Sequence, residues 1–64
     1  MTLKEAMQRA RDCDEAFDAA VKACGYKSRW DWSQITDRRP YWAYIQKVKA
    51  DELVHELWEE YRAQ

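Results

Sequence analysis

One glycine, one proline, one histidine and two cysteines are all this 64-residue chain has of the residues that usually build tight loops, metal centres and reactive sites. With a single glycine there is no Gly-rich loop to cradle a phosphate. His55 has no second histidine to share a metal, and the eleven-residue spacing of Cys13 and Cys24 matches no zinc pattern. No metal and no cofactor are therefore expected. No apolar run approaches the ~20 residues needed to cross a bilayer. Lys4, Glu5, Gln8 and Arg9 interrupt the first ten residues where a signal peptide would be apolar. The expected address is the cytoplasm, with no membrane contact.

If the two cysteines share one helix, ~100° per residue leaves them within ~20° of the same face but roughly 16 Å apart along the axis. A disulfide requires Cα atoms within ~7 Å, so a bridge within the chain is excluded and two buried, inert thiols are expected. Catalysis needs an acid–base pair or a nucleophile in a water-poor pocket, and a chain of this length leaves little room for one. His55, three residues after Glu52 and four before Glu59, reads as a helix-surface pairing residue. The chain is expected not to be an enzyme.

What the sequence does have is bulk. Four Trp, four Tyr and one Phe can each bury ~150–250 Å². A single small domain over 1–64 buries only about 60% of its unfolded surface, so such residues or self-association must stabilise it.

The first segment reads as a helix over roughly 3–24. Thr2-Leu3-Lys4-Glu5 is a capping box. Leu3, Ala6, Met7, Ala10, Cys13, Phe17, Ala20, Val21 and Cys24 then follow three- and four-residue steps. Gly25 is placed to be the left-handed residue that ends the helix, with Tyr26 folding back on it. Ala6, Ala10 and Ala20 would let a second helix approach closely, and Phe17 is the central core candidate.

Asp31-Trp32-Ser33-Gln34 resembles a second capping box opening a short helix, although residues 29–33 also alternate as a strand would. Thr36-Asp37-Arg38-Arg39-Pro40 is turn chemistry, with Pro40 suited to a first helical turn. From there to the end no Gly, Pro, Ser, Thr or Asn interrupts the chain, which argues for a helix of about 22 residues. Its apolar residues change sides. Tyr41, Tyr44, Ile45 and Val48 mark one face, and Leu53, Val54, Leu57 and Tyr61 mark another about half a turn away. Either the helix breaks near Asp51, or a continuous one buries opposite faces in its two halves. The expected fold is all-α, two long helices joined by a loop with a short helix. The alternative is α+β, an α-β-β-α arrangement with a hairpin at 29–48. Leu57 joins Phe17 as an expected core residue.

Charge is segregated along the chain. Residues 22–49 carry Lys22, Lys27, Arg29, Arg38, Arg39, Lys47 and Lys49 against Asp31 and Asp37, a net of +5. Residues 1–21 sum to −2, with Asp14, Glu15 and Asp18 clustered on the first helix; residues 50–64 sum to −4. Cations interleaved with aromatic rings suit single-stranded nucleic acid, whose phosphates and bases they match. Arg29, Trp30, Trp32, Arg38 and Arg39, with Tyr41 and Trp42 beyond them, are the candidates for such contacts. Overall acidity argues against a nucleic-acid partner. Glu52, Glu56 and Glu59 share one side of the last helix and would steer the chain toward a basic protein surface.

In size, charge segregation and lack of catalytic equipment the chain is similar to the small inhibitors that viruses and mobile elements deploy against host machinery, anti-CRISPR proteins among them. That resemblance implies a phage-type protein that inhibits or adapts a larger nucleic-acid-handling complex. A direct nucleic-acid binder and a structural homodimer, joined through the second apolar face of the last segment, are the alternatives.

Overall fold

The computed structural model describes residues 1–63. Among them are three helices and no strand: α1 (Leu3–Ala23), α2 (Arg29–Ser33) and α3 (Tyr41–Ala63). The hairpin considered for residues 29–48 is therefore absent, and the chain is all-α. Among the described residues no helix is long and apolar enough to cross a membrane.

Local chemistry sets the helix ends. The Glu5 N–H donates to the Thr2 Oγ1 at 3.1 Å, and the Thr2 hydroxyl in turn donates to the Glu5 carboxylate at 3.0 Å. At the far end, Gly25 takes φ +96°, the Gly25 N–H reaches the Lys22 carbonyl at 2.9 Å and the Tyr26 N–H reaches that of Val21 at 3.3 Å. That pair of bonds is a Schellman closure, which satisfies carbonyls the helix would otherwise leave open. α2 starts three residues earlier than its sequence suggests. Ser28 is its cap, accepting from the Asp31 N–H, so Asp31 sits inside the first turn instead of before it. Pro40 precedes α3 and is buried, and its carbonyl accepts from the Ala43 and Tyr44 N–H groups.

α1 and α3 form an antiparallel hairpin, and the molecule as a whole measures 44 × 17 × 15 Å. Phe17 and Val21, late in α1, pack on Ala43, early in α3. Farther along, Asp14 meets Lys47 at 3.8 Å. Small side chains line this seam: Ala6, Ala43 and Ala50 are buried, with Ala10 and Ala20 half-buried beside them. Small residues let two helix backbones approach closely. Bulk is concentrated at the connected end, where the Phe17 ring, 4% exposed, is met edge-on by Trp32 and Tyr44.

α3 runs without a break. Asp51 does not cap a new helix; it accepts from Lys47, one turn earlier, at 2.7 Å. The residues turned to α1 are Ala43, Lys47, Ala50, Val54 and Leu57, spaced by fours and threes. Tyr41, Ile45 and Val48 lie on the opposite side, ~140–200° around from Ala43 at ~100° per residue. Leu57 is half-buried, not buried as expected, because it lies toward the open end of the hairpin. Both cysteines are free and likewise half-buried, not fully enclosed.

Candidate functional site

The segment between α1 and α3 is organised by Asp37. Its carboxylate accepts from the Tyr26 hydroxyl at 2.6 Å, from the Arg39 guanidinium at 2.6 and 3.1 Å, and from the Arg39 backbone N–H at 3.0 Å. Its carbonyl accepts the Trp32 indole N–H at 2.7 Å. The Arg39 guanidinium, and then the Tyr26 hydroxyl, hold the Asp37 carboxyl well below the usual carboxylate range. The same contact raises the Arg39 pKa, and hydrogen bonding to Asp37 pushes the Tyr26 phenol upward. This network holds Trp32 against Phe17 and aims the chain into α3.

Beside it lies an open cleft of about 540 Å³, walled by Trp32, Ser33, Ile35, Thr36, Asp37, Arg38, Tyr41 and Tyr44. Ile35 is 55% exposed and Tyr41 47%, so the wall offers uncovered apolar surface. Tyr44 stands 5.8 Å from both Trp32 and Tyr41, ring centroid to centroid, extending the aromatic surface from the core to solvent. Trp30 and Trp42, 73% and 63% exposed, are the most exposed of the tryptophans and lie outside the cleft lining. Asp37 is the only carboxylate in the cleft wall and is already committed to Arg39 and Tyr26.

The candidate binding residues separate into two groups. Trp32, Arg38 and Tyr41 meet at the cleft. Glu52, Glu56 and Glu59 are exposed on the second half of α3, away from it. Arg29 belongs to neither. Its guanidinium donates to the Asp14 carboxylate at 2.8 Å and to the Asp14 carbonyl at 2.9 Å, and stacks 5.0 Å over the Phe17 ring. Asp14, held by this bond, ionises below its ordinary range, and Arg29 above its own. Arg29 is thus a tether from α2 to α1. Arg39 is consumed by Asp37.

The wider basic block is depleted in the same way. Lys22 pairs with Asp18 at 2.9 Å and Lys47 with Asp51 at 2.7 Å. Among the described residues only Lys27, Arg38 and Lys49 of the seven central cations lack an acidic partner. Two of the three members of the expected acidic cluster on α1 are spent as well, since Asp14 and Asp18 both face Arg29. A second, shallower groove between α1 and α3 of about 420 Å³ is lined by Ala10, Arg11, Asp14, Glu15 and Asp51.

Sequence reasoning missed Ile35, Tyr44 and Asp37 as parts of the site. Asp37 was marked only as turn chemistry; its place two residues before Arg39 in a Pro-terminated turn was the available signal. Near the end of α3, Tyr61 of the second apolar face stacks on Trp58, which the sequence does not mark, at 5.7 Å with planes 18° apart. Comparison of the chain with known protein families, curated proteins and solved structures finds no match.

Proposed function

We propose that this chain is a non-enzymatic protein-binding module whose partner inserts an apolar side chain into the cleft beside α2. The observation that supports this most is the fate of the central cations. Four of the seven are spent on carboxylates of the chain itself, while the aromatic and aliphatic wall of Ile35, Tyr41 and Tyr44 stays open. Aromatic residues around a concave apolar surface are what protein interfaces use as anchors. A single-strand binder instead needs free cations tracking the backbone beside its rings.

The acidic half of α3 favours a target with a basic surface of its own, such as a nucleic-acid-handling complex presents. Inhibition or adaptation of such a complex is the form this reading takes. The long-range field of Glu52, Glu56 and Glu59 would speed encounter, and the cleft would supply the short-range contact.

The test is quantitative affinity capture from the native host after nuclease treatment, comparing the wild type with Ile35→Asp. Ile35 is exposed, so the substitution leaves the core untouched and the fold is retained. The reading expects one or more proteins held by the wild type and released by Ile35→Asp. Proteins held equally by both, or lost on nuclease treatment alone, would contradict it.

A further inference from the structure

The cleft beside α2 has largely apolar walls, yet it is not electrically neutral. Asp37 and Arg38 are the wall residues charged at neutral pH. Asp37 is closed to a ligand, its side chain only 12% exposed. One carboxylate oxygen accepts from the Arg39 backbone N–H and Nε, the other from the Tyr26 hydroxyl and the Arg39 guanidinium. Arg38 is exposed and has no acidic partner among the described residues. The uncompensated charge of the wall is therefore positive. α3 adds to it, because the helix begins at Tyr41 in this wall and has no acidic residue in its first turn to offset its dipole.

The polar groups of the wall divide in the same way. The Ser33 hydroxyl donates to the Trp30 carbonyl at 2.7 Å and accepts from the Gln34 amide at 3.1 Å, and the Trp32 indole N–H is held by the Asp37 carbonyl. That leaves the Arg38 guanidinium and the hydroxyls of Thr36, Tyr41 and Tyr44 free among the described residues. A guanidinium only donates, and each hydroxyl has a proton to give. A carboxylate can accept from all of them, whereas a Lys or Arg side chain would meet Arg38 with no free carboxylate to balance it.

We propose that the partner segment seated in this cleft is acidic as well as apolar, with an Asp or Glu within two residues of the Leu, Ile, Phe or Trp that anchors it. The anchor lies against Trp32, Ile35, Tyr41 and Tyr44, and the carboxylate meets Arg38. This rests on the cleft being a protein-binding site and adds the sign of its ligand. Glu52, Glu56 and Glu59 lie on the other half of α3, so a target with a basic surface there and an acidic docking segment here satisfies both ends of the molecule. A nucleotide also joins an anion to a ring, but the wall supplies one free cation and the aliphatic Ile35, where a single-strand binder lines up several cations.

A displayed library of random nonapeptides tests this, selected in parallel on the wild type, on Arg38→Glu and on Ile35→Asn, which removes the apolar wall without adding charge. Arg38→Glu alters an exposed side chain and places a negative charge ahead of α3, where it favours the helix, so the fold is retained. The wild type should enrich an apolar anchor flanked by Asp or Glu, and Ile35→Asn should enrich neither. On Arg38→Glu the acidic flank should give way to Lys or Arg. In synthetic versions of the selected peptides, Asp→Asn or Glu→Gln should weaken binding to the wild type about two- to fivefold, as a half-exposed ion pair does, and leave binding to Arg38→Glu no weaker. Anchors enriched with no acidic flank would overturn the proposal and leave the cleft as an apolar docking site. Enrichment no greater than on Ile35→Asn would remove both. Displacement of the selected peptides by a short single-stranded oligonucleotide would overturn it in favour of nucleic acid.

Discussion

The rings of Phe17 and Trp32 meet edge to face, centroids 5.4 Å apart and planes at 79°. This contact fastens α2 to the hairpin, since the Trp32 indole N–H is held at the same time by the Asp37 carbonyl. Phe17→Ala removes the side chain on which Trp32, Tyr44 and the Arg29 guanidinium all rest. It should cost about 3–5 kcal/mol, most of the stability available to so small a domain. Urea or thermal unfolding followed by helix signal checks this, and an unchanged midpoint would show that the core lies elsewhere.

The hairpin seam makes the opposite demand, for smallness. Ala50 is buried against α1, so Ala50→Leu forces the helices apart and should destabilise by about 1–3 kcal/mol. Ala16→Leu, exposed on α1, should change stability by no more than about 0.5 kcal/mol. Equal effects from the two would mean that α1 and α3 are not closely packed.

Gly25 is needed for its backbone and not for space. A Cβ there would meet nothing within 4 Å, yet φ is +96°. Gly25→Ala should therefore cost about 1–2 kcal/mol through backbone strain alone. A synthetic chain with D-alanine at this position should be at least as stable as the natural one, by restricting the unfolded chain. A D-alanine chain as unstable as the L-alanine variant would point to a steric cause.

How much of this was readable in advance depends on what kind of residue carried each feature. The ends of α1 were legible because Thr2 and Gly25 act through bonds within a few residues. The start of α2 was not. Ser28-Arg29-Trp30-Asp31 and Asp31-Trp32-Ser33-Gln34 both satisfy a capping pattern, and the earlier one prevails where Arg29 can reach Asp14 across the chain. The stripe on α3 was misread because its buried face consists of Ala43, Lys47 and Ala50. Two of these are too small to stand out, and the third counts as polar although its ammonium bridges Asp51 and Asp14 along the seam. The cleft depends on Ile35 and Tyr44 meeting through that tertiary arrangement, which no local pattern encodes.

Asp37 makes stability pH-dependent on the acid side. Its folded-state pKa lies below the ordinary carboxylate value of about 3.9, so its contribution is present above that value and lost as pH falls through the folded pKa. Asp14 acts in the same direction through Arg29. Tyr26 works on the alkaline side: its raised pKa gives stability that is present below about 10 and declines above it. Thermal midpoints should thus be flat from about pH 5 to 9 and fall beyond both limits. Asp37→Asn should lower the plateau and flatten the acid limb; an unaltered acid limb would show that this carboxylate is not engaged in the fold.

The account rests on the central cations being spent within the fold, and the salt dependence of oligonucleotide binding counts the free ones. Each neutralised phosphate adds about 0.7–0.9 to the slope of log affinity against log salt. With only Lys27, Arg38 and Lys49 of the seven central cations free, labelled single- and double-stranded oligonucleotides should bind weakly to this segment, with a slope no steeper than about 2–3. Tight binding with a slope of about 5–6, as all seven cations on phosphates would give, would contradict the account and make nucleic acid the partner.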